Sequence, residues 1–504
     1  MVFDLWTSLL SMLLLFISIK LFISKLKHGI SSPNRLPPGP FPLPVVGNLF
    51  SLNTKPHHSF AKLAKIYGPV FSLQLGYMTT IVVTSTSAAK EVLQKHDALF
   101  ANRCVPDTMT LFHHAENSVV LLPSSSSRWR SLRKICVTNL FSTSRMDATS
   151  DLRNKKIQEL MCYVRECSEA GKVISVGQAG FSTMLNVLSY AFFSKDIADP
   201  RSSGTQEFMD LIWEMMLESG KPNIADFYPM LKGIDPQGAR RKARTRGAKF
   251  FKFFDDQVEE RLRLRKSTDY IDKNDVLDVL LNICEGKTEE LEPSGIRHLL
   301  ADLFAAGTDT TSTALEWAMA ELLRNLEKLE KAQKELDEVI GIGNAVEERH
   351  TAELTYLSAV VKETLRLHPS VAFLVPRQVH EEVKLSGFVV PKDAQLFINV
   401  WAMGRDPELW KNSHAFEPER FLESHIDYKG HDFELIPFGA GRRICPGLPL
   451  AHRMLHLMLA SLIHSFDWKL PDGVTPETID MDDKFGFALR MARPLNAKPV
   501  PRSR

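Results

Sequence analysis

The chain has 504 residues, of which 62 are Lys or Arg and 60 are Asp or Glu, and 44% are hydrophobic. This composition is typical of a globular protein with a large core and excludes disordered, collagen-like and coiled-coil proteins. The net charge of +2 arises from interleaved acids and bases, so no concentrated basic stripe indicates a nucleic-acid partner. The six cysteines form no C-x-x-C pair, which argues against a disulfide scaffold or a structural zinc site and fits a reducing compartment.

Residues 5–23 form an apolar run with a single charge at Lys20. As a helix the run would be about 28 Å long, close to the ~30 Å hydrocarbon core of a bilayer. Asp4 precedes it and no small-x-small cleavage site follows, so we expect a retained transmembrane anchor rather than a cleaved signal peptide. Three basic residues follow the run, namely Lys25, Lys27 and Arg35. By the positive-inside rule they leave the body of the protein in the cytosol.

The sequence LPPGP at residues 36–40 excludes a helix and favours a stiff extended spacer. After residue 50 the chain has neither an internal repeat nor a low-complexity linker, which favours one large domain. We therefore predict three parts: a membrane anchor at residues 1–28, a proline-rich hinge at 29–45 and a single domain at 46–504.

Local patterns along this domain predict a mainly α fold with small β-sheets. Two β-rich runs, 70–75 and 79–84, flank the sequence Gly76-Tyr77-Met78 and predict a hairpin. Further short strands are predicted within residues 382–390 and 395–400. Between residues 125 and 370 the pattern is helical and includes a helix of unusual length over residues 293–324.

The most informative segment reads PFGAGRRICPG over residues 437–447 and precedes an apolar helical run. Its glycines let the backbone approach a large flat group, and Pro446 suits the first position of the following helix. Cys445 then lies at a helix N-terminus, where the helix dipole favours a thiolate that acts as a nucleophile or a metal ligand. A nucleophile needs a paired histidine, and His452 and His456 on that helix lack the motifs of cysteine hydrolases.

The segment resembles the haem-binding loop of the cytochrome P450 (haem-thiolate monooxygenase) family, whose motif F-x-x-G-x-R-x-C-x-G is met by Phe438, Gly441, Arg443, Cys445 and Gly447. The resemblance implies the cytochrome P450 fold and a haem b cofactor with Cys445 as the axial iron ligand, a thiolate that favours O–O cleavage. It also implies that Arg443 faces a haem propionate and that Phe438 and Gly439 contact the haem. Because the chain has no C-x-x-C-H motif, the haem is not expected to be covalently attached.

The sequence AGTDTT at residues 306–311 lies inside the long predicted helix, where Gly307 costs up to ~1 kcal/mol relative to Ala. Packing alone is one explanation for such residues. The resemblance instead makes this segment the oxygen groove of the family, with Thr310 hydrogen-bonded to dioxygen and Asp309 relaying protons from solvent. A hydroxyl beside a carboxylate suits a reaction that consumes two protons.

Glu363 and Arg366 lie three residues apart on one face of a predicted helix, which by itself is a commonplace surface pair. In the family, an E-x-x-R pair of this kind contacts the arginine of a later P-E-R-F sequence, which here is Arg420. The resemblance therefore assigns Glu363, Arg366 and Arg420 to structure rather than to catalysis.

The sequence WRSLR matches the W-x-x-x-R motif of the family, which implies that Trp129 and Arg133 hold a haem propionate. Arg377 is a further propionate candidate. The alternative for residues 128–134 is a solvated basic helix face, and that interpretation stays open for Arg128, Arg130 and Lys134.

By the same resemblance, four segments line the substrate pocket, and they hold almost no charge. A carboxylate or diphosphate would be desolvated there without a basic partner, which is costly, so a neutral apolar substrate is expected. The predicted lining residues are Phe112, Phe304, Ala305, Val371, Phe373, Val375, Phe485 and Phe487.

The sequence KPNIADFYP at residues 221–229 resembles the terpenoid-hydroxylating branch of the plant membrane-bound enzymes, in particular the geraniol 8-hydroxylases. This likeness implies hydroxylation of a small apolar terpenoid, best represented by a monoterpenol such as geraniol, by a single-pass protein of the endoplasmic reticulum membrane whose domain faces the cytosol. Diterpenes and prenylated phenols are the alternative substrates. The alternatives of a different class are a haem-thiolate isomerase or dehydratase, which needs no proton relay, and a non-enzymatic haem sensor.

The glycines at residues 341–343 and 439–441 do not fit a dinucleotide fingerprint, so no flavin or nicotinamide site is predicted. Oxygen activation nevertheless requires two electrons. The resemblance therefore implies NADPH–cytochrome P450 reductase as a partner, together with dioxygen, the terpenoid substrate and membrane lipid.

Overall fold

The computed structural model describes residues 36–198, 203–286 and 291–502, together with Met12 and Leu15. The predicted anchor at residues 5–23 thus lies outside the described residues, apart from Met12 and Leu15. None of the helices that the structure describes is both long and apolar enough to cross a bilayer.

The helical pattern predicted between residues 125 and 370 is confirmed. The longest helix among the described residues has 32 residues and the bounds that the sequence predicted. In chain order the α-helices of the described residues are α1 Pro56–Tyr67, α2 Thr86–Lys90, α3 Ser127–Ile135, α4 Thr143–Ala148, α5 Ser150–Glu169, α6 Val176–Phe193, α7 Ser203–Ser219, α8 Ile224–Phe227, α9 Ala239–Arg265, α10 Val276–Glu285, α11 Pro293–Arg324, α12 Leu326–Ile340, α13 Thr355–Leu367, α14 Val400–Met403 and α15 Leu448–Ser465.

Short strands in the described residues form four small sheets, so the prediction of a mainly α fold with small β-sheets is confirmed. The sheet orders are β1-β2-β8-β5-β3, β4-β12-β9, β6-β7 and β10-β11. All neighbouring strands are antiparallel except β2 and β8, which are parallel. The strands are β1 Val70–Leu75, β2 Met78–Val83, β3 Asn102–Arg103, β4 Ile174–Ser175, β5 Arg377–Gln378, β6 Val383–Leu385, β7 Phe388–Val390, β8 Gln395–Ile398, β9 Phe466–Lys469, β10 Asp483–Lys484, β11 Arg490–Met491 and β12 Asn496–Pro501.

The predicted hairpin of β1 and β2 is present, but its turn is one residue shorter than expected. Met78 pairs with Leu75 inside the ladder, which leaves Gly76 and Tyr77 as a two-residue turn. Gly76 has a φ of +58°, a left-handed conformation that a glycine adopts at low cost in such tight turns. The predicted strand at 382–390 is likewise divided, by a turn at residues 386–387, into β6 and β7.

Helix α11 runs through the main hydrophobic core, where it packs against α6, α9, α13 and α15. Its buried hydroxyls bond to carbonyl oxygens one turn earlier: Thr308 Oγ1 donates to Phe304 at 2.7 Å and Ser312 Oγ to Thr308 at 3.0 Å. These polar side chains are therefore satisfied within the helix and are tolerated in the core. A Cβ on Gly307 would lie 3.0 Å from the Leu188 side chain, so this glycine lets α6 approach closely.

A buried ion-pair cluster joins α13 to the segment that leads toward Cys445. The side chains of Glu363 and Arg366 are both 0% exposed, and two N–H groups of Arg366 donate to the carboxylate at 2.7 Å. Arg420 Nε donates to the same carboxylate at 3.0 Å. The remaining N–H groups of Arg366 donate to the carbonyls of Gly404, Ser413 and Ala415. The structure thus brings Glu363, Arg366 and Arg420 together in the interior rather than on the surface.

Replacing Glu363 by Gln should destabilise the protein strongly, because it leaves the Arg366 charge buried without a counter-charge. The expected loss is about 3 to 5 kcal/mol in the free energy of unfolding, as for other buried pairs that lose one partner. The measurement is denaturant unfolding of the haem-loaded protein. The matched control is Glu327→Gln, an exposed carboxylate that lies 4.0 Å from Lys328, where a change within about 0.5 kcal/mol is expected. Equal losses in the two variants would contradict this role of the cluster.

Candidate haem-thiolate site

Cys445 lies at the end of a tight loop that immediately precedes helix α15. The loop turns at Gly439 and Gly441, with φ of +72° and +70°, and closes where the Cys445 N–H donates to the Phe438 carbonyl at 3.0 Å. Helix α15 begins at Leu448 with Gly447 as its N-cap, so Pro446 precedes the helix and is not its first residue as expected. Burial raises the pKa of the Cys445 thiol, while the N–H groups of Gly447 and Leu448 and the charge of Arg133 lower it. These donors are oriented to stabilise a thiolate.

The two histidines of α15 are not partners of Cys445. His452 Nδ1 lies 2.5 Å from the Tyr428 hydroxyl, and His456 Nδ1 lies 2.7 Å from the His452 carbonyl. Burial lowers the pKa of both imidazoles, that of His456 to about 3. Neither histidine therefore supplies the paired base that a cysteine nucleophile needs, which favours the role of metal ligand.

Cys445 keeps accessible surface although it is surrounded by protein, which indicates that it faces an internal space. On α11, Ala306 and Thr310 are also partly exposed, whereas Phe304 and Thr308 on the adjoining face are fully buried. The segment at residues 370–375 links the two sides of this space. Ser370 Oγ donates to the Thr310 carbonyl at 2.9 Å, and the Leu374 side chain lies 3.7 Å from the position of a Cβ on Gly439.

Four arginines surround this region: Arg103, Arg133, Arg377 and Arg443. The buried guanidinium of Arg443 donates to the carbonyls of Ala101 and Val119, at 2.9 and 3.1 Å, and to that of Leu122. Arg377 donates to the Phe100 carbonyl at 3.2 Å, and Arg103 to the Val120 carbonyl at 3.3 Å. Carbonyl oxygens satisfy these N–H groups, but they do not neutralise the positive charges.

The charges of these arginines oppose one another. Burial is the larger cause and the positive charge of Arg377 the next, and together they lower the pKa of Arg443 to about 9. The same two causes lower the pKa of Arg103 well below its usual range. Among the described residues, the acidic partner within 4 Å of this group is Asp97, which lies 3.7 Å from Arg377 and also pairs with Arg442. A buried cluster with more positive than negative charge favours a bound anion. The two propionates of a haem fit that requirement, so the residues present fit the cofactor.

Trp129 and Arg133 lie one turn apart on α3, which Ser126 caps by accepting the Trp129 N–H at 3.0 Å. The indole N–H of Trp129 donates to the Val119 carbonyl at 3.1 Å, so the predicted propionate donor already has a backbone partner. The guanidinium carbon of Arg443 lies 4.5 Å from the Trp129 ring centre, a cation–π distance. Arg130 donates to the Ser125 carbonyl at the surface, in agreement with a solvated helix face.

Thr310 and Asp309 occupy different environments on α11. Thr310 is partly exposed to the internal space, and its hydroxyl donates to the Ala306 carbonyl at 2.8 Å. The Asp309 side chain is 0% exposed and pairs with Arg490 of β11, whose Nε lies 2.8 Å from Oδ1. The second carboxylate oxygen of Asp309 has no hydrogen-bond partner. Burial raises the pKa of Asp309 and Arg490 opposes that shift. A proton relay from solvent through Asp309 therefore requires this pair to open.

Two of the predicted pocket phenylalanines are directed elsewhere. The Phe304 ring is fully buried and packs on Phe254 of α9, with ring centres 5.6 Å apart, because Phe304 shares the buried face of α11 with Thr308. The Phe373 ring packs against Phe60 and Phe397 beside the five-stranded sheet, at 5.0 Å from each. The structure does not bring these rings to the internal space.

The other predicted pocket residues retain accessible surface. Phe112 contacts Phe251 at 5.4 Å between ring centres and has a φ of +57°, a strained conformation for a bulky residue. The partly exposed members of the predicted set are Phe112, Ala305, Val371, Val375, Phe485 and Phe487.

Sequence reasoning missed two arginines of the site. Arg103 pairs with Arg377 across β3 and β5, but two-residue strands leave too little pattern to predict that pairing. Arg490 is a buried cation in the run ALRMA at residues 488–492. A single charge within an apolar run was the available signal for Arg490, since such a residue needs a buried acid.

Comparison with known proteins identifies the family of this chain. The family model of Cytochrome P450 matches residues 37–494. A geraniol 8-hydroxylase of Swertia mussotii is 52% identical over 466 residues, which cover 92% of this chain and 94% of that protein. A geraniol 8-hydroxylase of Catharanthus roseus is 52% identical over 464 residues (92% and 94%), and a drimenol monooxygenase of Persicaria hydropiper is 51% identical over 470 residues (93% and 93%). The chain belongs to the cytochrome P450 family, the monooxygenases whose haem iron is held by a cysteine thiolate.

Proposed function

We propose that the chain is a terpenoid hydroxylase that takes electrons from NADPH–cytochrome P450 reductase, with a monoterpenol such as geraniol as its leading substrate. The observation that carries the proposal is Cys445, which faces an internal space flanked by Ala306 and Thr310 of α11 and by buried arginines that outnumber their acidic partner Asp97. The relatives named geraniol 8-hydroxylase and drimenol monooxygenase support the substrate class. Diterpenes and prenylated phenols are the competing substrates.

In this proposal the bound haem supplies the oxygen-activating chemistry, and the chain positions the reactants. Cys445 Sγ would ligate the iron, with the N–H groups of Gly447 and Leu448 holding the sulfur as thiolate. Arg133, Arg377 and Arg443 would hold the propionates, since their charges are otherwise poorly balanced. The backbone around Phe438 and Gly439 would contact the face of the ring.

Thr310 and Asp309 would supply protons to the oxygen side of the site. The Thr310 hydroxyl lies at the internal space, where it can accept a proton from one neighbour and donate to another. Asp309 adjoins it, and its second carboxylate oxygen is buried without a hydrogen-bond partner among the described residues, so opening of the pair with Arg490 would let this carboxylate take up a proton. Separation from Arg490 would raise the proton affinity of the carboxylate further, because burial alone disfavours its charge.

The partly exposed lining favours a neutral substrate. Ala305, Val371, Val375 and Phe487 present apolar surface, and the propionates of the haem would match the charges of the nearby arginines. Burying about eight carbons at ~0.8 kcal/mol each yields roughly 6 kcal/mol before losses, which limits apolar binding of a monoterpenol to the micromolar range. A larger terpenoid would gain more from the same contacts.

Replacing Cys445 by Ala should abolish thiolate ligation. The reduced carbon monoxide adduct of the wild type is expected to show the red-shifted Soret band of a thiolate-ligated haem, and the variant is expected to lose it. Cys162→Ala is the matched control, since Cys162 is exposed and should leave the spectrum unchanged. Retention of the thiolate spectrum in the Cys445 variant would remove the basis of the proposal.

Replacing Thr310 by Ala should uncouple electron consumption from product formation. Haem content and substrate binding should stay near the wild-type level, while product formed per NADPH falls by about tenfold or more because a proton donor is lost. The excess electrons should appear as hydrogen peroxide. Thr308→Ala removes a hydroxyl from the buried face of the same helix and should keep wild-type coupling. Equal coupling in both variants would assign Thr310 to packing.

Competition between substrates tests the substrate class. Purified protein with reductase and NADPH should oxidise geraniol at an allylic carbon distant from its hydroxyl, in preference to an abietane-type diterpene and a geranyl-substituted phenol. Products are identified by mass spectrometry against standards. If no C10 alcohol is oxidised while a larger compound is turned over, the monoterpenol assignment is wrong although the hydroxylase assignment stands.

We further propose that residues 1–28 anchor the protein in the endoplasmic reticulum membrane, with the domain in the cytosol. The apolar run at residues 5–23 supports this. Deleting residues 1–28 should move much of the protein from the membrane pellet to the supernatant, although the exposed Met230 and Ile234 should retain a fraction. Detection of an N-terminus cleaved after the apolar run in cells would instead establish a signal peptide.

A further inference from the structure

Away from the Cys445 region, two adjacent histidines at the start of α1 converge on one carboxylate of the β10–β11 hairpin. His57 Nε2 lies 3.1 Å from Asp483 Oδ2, and His58 Nε2 lies 3.2 Å from the same oxygen. The three donor atoms all lie within 4.8 Å of one another. We propose that His57, His58 and Asp483 form a binding site for a zinc ion that links α1 to this hairpin.

The donor set and its spacing match zinc. Zinc prefers imidazole nitrogen and carboxylate oxygen at about 2.0 to 2.2 Å in tetrahedral geometry, for which neighbouring ligand atoms are roughly 3.3 Å apart. The two nitrogen–oxygen distances of 3.1 and 3.2 Å are close to that edge length. An ion could therefore enter with shifts of a few tenths of an ångström along these two edges. The third edge, between the two imidazole nitrogens, is at most 4.8 Å long, and binding would bring it to roughly 3.3 Å by rotation of the partly exposed His58 ring.

The rings are held in position before any ion binds. The His57 side chain is fully buried, stacked on Phe485 with ring centres 5.7 Å apart and placed edge-on to Trp401 at 5.0 Å. Asn399 Nδ2 donates to the His57 carbonyl at 3.0 Å, which fixes the first turn of α1. Such preorganisation lowers the entropic cost of binding an ion.

Two carboxylates and two fixed cations surround the three ligands. The ammonium of Lys55 contacts Asp482 directly and lies 3.5 Å from Asp483 Oδ1. The guanidinium of Arg405 lies close enough for its charge to act on His57 and Asp483. The buried Oδ1 of Asp483 accepts no hydrogen bond. His58 is 38% exposed, so an ion can enter from solvent on that side and keep a water molecule as its fourth ligand.

A zinc ion here would stabilise a hairpin that matters for the haem site without taking part in its chemistry. The hairpin carries Phe485 next to Asp483, and its second strand carries Arg490, the partner of Asp309. The alternative is a metal-free cluster in which both imidazoles donate an N–H to Asp483. The two arrangements differ in zinc content, which is directly measurable.

The test is zinc binding by the full-length, haem-loaded protein. The protein is stripped with a chelator, dialysed against buffered zinc chloride and analysed for zinc and haem iron by mass spectrometry. The wild type should bind one zinc per haem and unfold at a higher temperature with zinc than without it. His58→Gln should bind zinc at least about 100-fold more weakly, more than the loss of an outer-shell partner costs. His431→Gln, at an exposed histidine, should behave like the wild type.

Three results would overturn the proposal: no zinc above background in the wild type, equal zinc binding in the wild type and His58→Gln, or an equal loss of zinc in His431→Gln. The carbon monoxide spectrum of each variant verifies that it is folded and haem-loaded. If His58→Gln is not, Asp483→Asn replaces it in the same comparison, with the same expected loss of zinc. Because the readout is zinc content, it is independent of whether the terpenoid hydroxylase assignment holds.

Discussion

Positive charge buried beside a sulfur is the constraint on which the architecture around Cys445 depends. Arg103, Arg377 and Arg443 are each less than a tenth exposed, and backbone carbonyls bond their N–H groups without balancing their charge. Such an arrangement is stable only where an anion completes it. The short strands β3 and β5, the loop before α3 and the Cys445 loop all contribute to this one cluster, so a haem bound there would become part of the folded core of the protein.

The sequence predicted well where local pattern and chemistry coincide. Four features could be predicted from the sequence: the bounds of α11, the mainly α fold, the β1–β2 hairpin and the family. Their signals are periodicity, turn residues and the Cys445 loop, and each signal lies within a short segment of the chain. Only the family motif predicted that Glu363, Arg366 and Arg420 come together. The burial of this cluster could not be predicted, because a pair spaced three residues apart has the same sequence pattern at the surface and in the core.

What the sequence did not predict involves contacts between distant segments and the direction of side chains. Asp309 was expected to relay protons from solvent, but its side chain is buried against Arg490, which lies 181 residues away along the chain. Phe304 was expected in the pocket, but one position along a helix rotates a side chain by about 100°, which places its ring on the buried face. The cysteine spacing carried no information about His57, His58 and Asp483, which only the fold brings together.

The pairing of Arg490 with Asp309 has a consequence for engineering the substrate range of this enzyme. Phe485 and Phe487 lie on the same hairpin and would be natural positions to randomise in a mutant library. Arg490 lies only three residues beyond Phe487, and its guanidinium carbon is 3.4 Å from the Trp213 ring centre of α7. A library that varies the whole hairpin would therefore disturb both the Arg490–Asp309 pair and the contact of Arg490 with α7. Libraries restricted to the two phenylalanines would leave both contacts of Arg490 intact.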